Sequence, residues 1–418
     1  MSIVVRPFRR DTSDDAAAKA LEARASQHTH NVILSTLVKV HLQHLDSFDS
    51  KARKYEGSVV LLAIDTEVKG DGASDDGFVC GCICVGIKDV RLDGKIRKLG
   101  YLFDMRVHED YQRRKIGSQL YKSAKSASSD LGAEAIYLSV NSTNKKARSF
   151  YERYGYVISS HRALLFTPLL FSGLFGHRAA AAIRSITSQE MAQLFDSMEG
   201  SDLSLAGGLK QLFSACPDKF MNAWVLEAKG PDEESSSLAA LTLWDGDGTS
   251  SIKIERLLLT PATWKSPLTQ VSLLLAGCWV LWLWGLSVWR SPLTVWSALS
   301  GACLLFAAVA GTLASAFVRF VTTRRRERAR MIAPVAKGPR GIELLRDLVA
   351  HAKVTAKRQG FGVAIGNLDI LDPRLPAFSS GKRLTSGQTL FMLKWLHSDA
   401  PKVCDFSCDN FFDPRDMS

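Results

Sequence analysis

The sequence predicts two mixed-sheet α/β domains in tandem, the second interrupted by a two-helix membrane hairpin. Short β-rich runs alternate with amphipathic helical stretches in both halves of the 418-residue chain, the pattern of packed α/β layers. Two nearly uncharged apolar runs, 268–289 and 293–318, stand apart from that pattern. A weak internal echo relates RRKIGSQLYKSAKSASSDLGAEAIYLSV to KGPRGIELLRDLVAHAKVTAKRQGFGVAIGNLDI, each a basic Gly-containing loop, a helix, a Gly and an apolar strand. The expected segments are a first domain over 1–175, a second domain in two parts over 178–262 and 331–418, and the hairpin over 268–318.

Residues 3–8, IVVRPF, read as a strand, and Asp11–Ala25 as a helix opened by Asp and Ser residues. SVVLLAIDT (58–66) and FVCGCICVGIK (78–88) are β-rich and flank a polar hairpin loop, KGDGASDDG. Cys80, Cys82 and Cys84 alternate along the second of these strands, which predicts small apolar residues on one face. A strand over Gly100–Val107 leads through a basic loop into a helix over Gly117–Leu131, with Ile116, Leu120, Ala124 and Leu131 near one face. AIYLSV then reads as a buried strand, Asn144–Tyr154 as a helix and Tyr156–Ser160 as a further strand. LLFTPLLFSGLFG (164–176) is broken by Pro168 and Gly173 and is too short to span a bilayer; a last strand plus linker is favoured over a membrane-surface contact. Strands near Ala223–Glu227 and Leu238–Trp244, around the loop GPDEESSS, open the second α/β region.

Each long apolar run reaches the roughly 20 residues that an α-helix needs to cross a hydrocarbon core about 30 Å thick. Arg290, Ser291 and Pro292 leave room only for a tight turn between them. Trp279, Trp282, Trp284, Trp289 and Trp296 gather towards that turn, and Ala307, Gly311 and Ser315 are spaced for close helix packing. A buried helical pair in a soluble core is the competing reading, but soluble cores rarely hide so many consecutive apolar residues. The basic run Arg319, Arg324, Arg325, Arg326, Arg328 and Arg330, against the single Arg290, predicts a two-span protein in a lipid bilayer with both termini cytosolic. Gln270 is nearly the only large polar group in the spans, which argues against a transport role.

The net charge of +11 is compatible with nucleic acid, anionic lipid or an anionic cofactor. No aromatic-interleaved basic patch accompanies the arginine run, so no nucleic-acid partner is expected. The N-terminal residues lack an apolar signal-peptide core, which predicts a cytosolic start. Eight cysteines do not make a disulfide framework in so long a chain, and Cys404 and Cys408 lack clustered histidines, so no metal site is expected.

Between Val107 and the following helix lies Gln112-Arg113-Arg114-Lys115-Ile116-Gly117. A tight loop at a helix N-terminus aims several backbone N–H groups and the positive end of the helix dipole at one spot, a fit for a pyrophosphate. This segment resembles the acetyl-CoA signature of the GNAT superfamily of N-acetyltransferases, in which Gln or Arg is followed by two residues, Gly, any residue, and Gly or Ala. Gln112 and Gly117 match, while Lys115 stands where the first Gly is expected and adds positive charge beside the phosphates. A second match lies in LSVNSTNKKARSFYERYGY, where Asn144, Ala147, Phe150-Tyr151 and Gly155-Tyr156 follow the family pattern.

The resemblance implies a GNAT fold for residues 1–175 with acetyl-CoA as co-substrate. It implies cofactor contacts from Met105 and Val107 on the splayed strand, from Gln112, Arg113, Arg114, Lys115, Ile116, Gly117 and Ser118, and from Asn144 on the pantetheine arm. Tyr151 would protonate the departing thiolate as general acid, and a backbone amide near Met105–Val107 would polarise the thioester carbonyl. For the base, Asp104, Glu109 and His108 are candidates, Tyr101 is placed to face the cleft, and a water relay stays open. GPRGIELLRDLVAHAKVTAKRQG and FFDPRD further resemble plant hookless-type N-acetyltransferases. In the second half LDPRLPAF replaces the helix that carries Tyr151, so a structural or substrate-shaping role is expected there. The expected activity is acetyl transfer to an amine of a protein or small molecule; the alternative is an acyl-CoA-binding sensor or scaffold without turnover.

Overall fold

The computed structural model describes residues 2–10, 13–25, 38–44, 47–68, 73–92, 95–169, 183–197, 203–205, 208–229, 236–246, 250–257, 326–378 and 385–396. The hairpin expected over 268–318 lies outside them, as do Cys404, Cys408 and FFDPRD. No helix among the described residues is long and apolar enough to cross a membrane.

In chain order the elements are β1 (Ile3–Pro7), α1 (Asp14–Ala25), β2 (Val38–His44), β3 (Gly57–Asp65), β4 (Ala73–Ser74), β5 (Gly77–Leu92), β6 (Lys95–Val107), α2 (Ile116–Asp130), β7 (Ala135–Asn141), α3 (Lys145–Arg153) and β8 (Val157–Pro168). There follow β9 (Arg184–Ile186), α4 (Ser188–Asp196), β10 (Leu203–Leu205), α5 (Gly208–Ala215), β11 (Phe220–Ala228), β12 (Ser237–Asp245), β13 (Ser250–Leu257), β14 (Arg326–Lys337), α6 (Gly341–Arg358), β15 (Phe361–Asp369), α7 (Leu375–Phe378) and β16 (Thr385–Trp395). The chain divides into two units: Met1–Ser26, Leu42–Ser251 and Arg325–Ser418 form one, Gln27–His41 and Ile252–Arg324 the other. β2 and β13 pair with each other in a two-stranded sheet that lies largely in the second unit.

The first unit is built on a 14-stranded sheet in the order β1-β3-β5-β6-β7-β16-β8-β15-β14-β12-β11-β9, with β4 and β10 pairing on β5. The order is the same from either edge. Each half has three outer strands, then a parallel pair joined by a crossover helix: β6 and β7 through α2, β14 and β15 through α6. Each half is then completed by a strand of the other. β16 lies antiparallel between β7 and β8, and β8 lies antiparallel between β16 and β15. The sheet is therefore continuous across residue 175, and the two halves exchange strands.

The faces of the first half carry different cores. Tyr55, Cys82, Cys84, Tyr101, Phe103 and Tyr137 pack with α1, whereas Ile83, Leu102, Ile136 and Leu138 pack with Ile116, Leu120 and Ala124 of α2. The expected cysteine face is corrected here. Cys82 and Cys84 face α1, but Cys80 joins the α2 side, because the ladder slips between Ala63↔Gly81 and Ile64↔Val79 and the extra residue reverses the alternation. Burial pushes the Cys80 and Cys82 thiols up to about 12, consistent with packing residues. The expected basic flank is also corrected in part. Arg326, Arg328 and Arg330 belong to β14, paired with β15 and, at Arg330, with Trp244 of β12, and Arg330 is buried.

Candidate active site

The parallel ladder of β6 and β7 ends at Leu102↔Leu138. Beyond it β6 follows β5 to Val107 and β7 follows β16 to Asn141, so the two strands part into a V. At the same level β6 bulges. Phe103 pairs with Cys84 and Arg106 with Cys82, which leaves Asp104 and Met105 opposite Ile83 alone, with φ 49° at Asp104. Such a bulge re-aims backbone groups and side chains, and here it lies at the mouth of the V.

The loop after β6 closes the mouth. A 3-10 turn over Glu109–Tyr111 precedes Gln112, and Arg113 and Lys115 both adopt φ 63°. Left-handed residues alternating with right-handed ones turn successive amides towards a common centre, a concavity suited to anions. The first-turn amides of α2, at Ile116, Gly117 and Ser118, have no acceptor one turn back, as at any helix start. Gln112, Arg113, Arg114 and Lys115 are exposed around this centre. The loop is anchored from below: Tyr111 is buried, its hydroxyl donates to Asp65 Oδ2 at 3.1 Å, and the Arg114 guanidinium lies 5.0 Å from its ring. Burial and that hydrogen bond push the phenol up to about 12, so it remains a donor. Gly117 permits the closest approach of α2 to the bulge, since a Cβ there would lie 3.1 Å from Met105 Cε.

On the α2 face Tyr151 is 8% exposed and its hydroxyl donates to Met105 Sδ at 3.3 Å. Burial pushes its ionisation well above the ordinary tyrosine value, so the phenol carries its proton at neutral pH. Phe150 and Tyr156 pack edge-on against the Tyr151 ring. Asn144 caps α3, its Oδ1 accepting from Ala147 N at 3.1 Å, which commits the side-chain oxygen and leaves the NH2 group as donor.

The α1 face of the bulge is charged. The Asp104 side chain is 23% exposed and sits 3.8 Å from the Arg106 guanidinium, which is held by Glu22 of α1 at 2.9 Å. The sequence missed the Glu22–Arg106 pair because it joins residues 84 positions apart. His108 is enclosed, with Phe78 and Tyr111 packed on its ring and Arg24 Nη1 donating to Nε2 at 3.2 Å. Glu109 is exposed. Tyr101 lies in the core, stacked on Phe103 and Tyr137. Of the expected residues, then, Asp104, Met105, Val107, Gly117 and Tyr151 converge on the bulge and its two faces, Gln112–Ser118 line the loop, and Asn144 caps the helix carrying Tyr151.

Residues 42–156 match the family model described as Acetyltransferase (GNAT) family. No curated protein matches the chain. Among solved structures it is similar to the N-myristoyltransferase of Saccharomyces cerevisiae with bound myristoyl-CoA, at 10% identity over 94% of this chain and 82% of that one, TM-score 0.51. A further structure of that enzyme, with bound myristoyl-CoA and inhibitors, aligns at 8% identity over 98% of this chain and 86% of that one, TM-score 0.53. These likenesses are of fold, and they span both halves. The chain carries a GNAT acetyltransferase domain over the matched residues; it is an acyltransferase with an acyl-CoA as its co-substrate.

Proposed function

We propose that the chain is an N-acetyltransferase that moves an acetyl group from acetyl-CoA to an amine, with the thioester held in the V between β6 and β7. The observation that carries this reading is the coincidence, at one bulge, of parted strands, an amide-lined basic loop and a protonated buried phenol. The diphosphate would rest on the Gln112–Ser118 amides and the Arg113, Arg114 and Lys115 charges. The pantetheine arm would pair with β6 at Met105 and Val107 and accept from the Asn144 NH2 group. Behind the bulge Phe103, Tyr55, Cys82 and Cys84 are each at most 6% exposed, which supports a short acyl group.

Asp104, on the α1 face, takes the proton of the incoming ammonium, and the freed amine attacks the thioester carbon. Bulge amides donate to the oxyanion. Its collapse breaks the C–S bond, Tyr151, on the opposite face, protonates the thiolate, and the second proton of the attacking nitrogen leaves to water, from which the Tyr151 phenolate is reprotonated. In the full-length protein, Tyr151→Phe is expected to lower kcat across an amine panel by about a hundredfold, with acetyl-CoA affinity by calorimetry unchanged. Arg113→Glu with Arg114→Glu is expected to abolish that binding. Unchanged turnover in Tyr151→Phe would remove it as the acid; acetyl-CoA bound but never consumed by the parent chain would favour the sensor or scaffold reading.

The apolar runs 268–289 and 293–318 support a bilayer anchor of two spans with both termini cytosolic, oriented by Arg319, Arg324 and Arg325, which precede β14. The resemblance of GPRGIELLRDLVAHAKVTAKRQG and FFDPRD to plant hookless-type N-acetyltransferases supports a structural or substrate-shaping role for the second half. Alkaline carbonate should leave the intact chain in the membrane pellet and release a variant lacking 268–318; release of the intact chain would end the anchoring proposal.

A further inference from the structure

The second half repeats the frame of the V in detail. Its parallel ladder ends at Met331↔Gly366, after which β14 runs on to Lys337 and β15 to Asp369. β14 bulges at the matching place, with Ile332 paired to Thr242 and Val335 to Ala240, and Ala333 has φ 50° where Asp104 has 49°. Counting along both ladders, Ala333-Pro334 corresponds to Asp104-Met105, Asp369 to Asn141 and Asp372 to Asn144. Local bonds agree: Asn141 Oδ1 accepts from Thr143 N and Asp369 Oδ1 from Leu371 N, each two residues on.

We infer that the second half keeps the frame of an acyl-CoA cleft but fills it with its own residues, so that the chain binds one acyl-CoA, in its first half. This rests on reading the V between β6 and β7 as the cofactor site. Five features of the second cleft oppose a ligand. Pro334 replaces Met105 at the bulge and has no N–H to offer. The Pro334 carbonyl accepts from Arg374 Nη1 at 2.9 Å, and the Arg374 guanidinium is fixed by two bonds to Asp372, at 2.9 and 2.8 Å. That buried guanidinium therefore makes, inside the second V, a hydrogen bond to the strand that a bound arm would otherwise make. The loop to the helix shrinks to 338–340, against 108–115 in the first half, and the Arg340 amide is taken by Ser237 Oγ at 3.0 Å. The helix start lies against the strand, since a Cβ on Gly341 would come 3.0 Å from the Ala336 carbonyl carbon. Finally, the counterpart of α3 is the four-residue α7, with Phe378 at the place of Phe150, buried against Gly366.

The test is titration calorimetry of the full-length protein with acetyl-CoA, combined with hydrogen exchange to locate the protected amides. The expected result is one equivalent per chain, with protection at 112–120 and none at 338–346. Two equivalents, or any protection at 338–346, overturns the inference while leaving the first site standing if 112–120 is also protected. One equivalent protecting 338–346 alone overturns both readings, and the absence of binding overturns the count of one together with the first-half site.

Discussion

A chain ending at residue 175 is expected not to yield a stable acetyltransferase domain, even though it contains every residue proposed for catalysis. It lacks β16, which closes the sheet between β7 and β8 through ladders to Ala135–Asn141 and to Val157–Leu165. Leu390, Phe391, Met392 and Leu393 of that strand are each at most 2% exposed. At about 1.5–3 kcal/mol per buried side chain, their loss removes roughly 6–12 kcal/mol, the scale of a whole domain's stability. It also bares two long strand edges, which favours aggregation. Size-exclusion chromatography and thermal melting followed by circular dichroism check this. A monodisperse 1–175 fragment with a cooperative melt would show that the exchanged strand is dispensable.

Arg374→Ala is expected to destabilise the full-length protein by about 3 kcal/mol or more, because it leaves a buried carboxylate without its partner. The Asp372 side chain is 1% exposed and both its oxygens bond Arg374. The same substitution strips the Pro334 carbonyl of its donor. Replacing the pair together, Asp372→Leu with Arg374→Met, removes both charges and is expected to recover most of the loss. Denaturant midpoints measure the difference, and acetyl-CoA affinity should follow the folded fraction only. An Arg374→Ala protein as stable as its parent would mean that the buried pair contributes little.

What could be read in the sequence was local. The β-rich runs of β3 and β5, the helical spacing of Ile116, Leu120 and Ala124, and Asn144 ahead of a helix all depend on neighbours within a few residues, and they appear where expected. The loop ahead of α2 and the helix that carries Tyr151 were legible for the same reason. Thr187 and Glu190 form a capping box at the start of α4, again a signal between near neighbours. What could not be read depends on distant partners. GQTLFMLKW gives no hint that it pairs with strands more than 200 residues earlier. Arg328 and Arg330 look like a membrane flank until β12 and β15 take them into a sheet. The slip that turns Cys80 away from Cys82 is set by pairing with β3, and the left-handed Lys115, where glycine was expected, is set by the loop's closure on α2.

The exchange of β8 and β16 has a consequence for synthesis on the ribosome. β7 and β8 are complete by residue 168, but the strand that belongs between them ends at residue 395. At elongation rates of about 5–20 residues per second, the intervening chain takes roughly 10–45 seconds to emerge. For that interval the nascent acetyltransferase half presents two unsatisfied edges and an open apolar floor, and it depends on chaperones or on the rest of its own chain to keep them apart from other polypeptides.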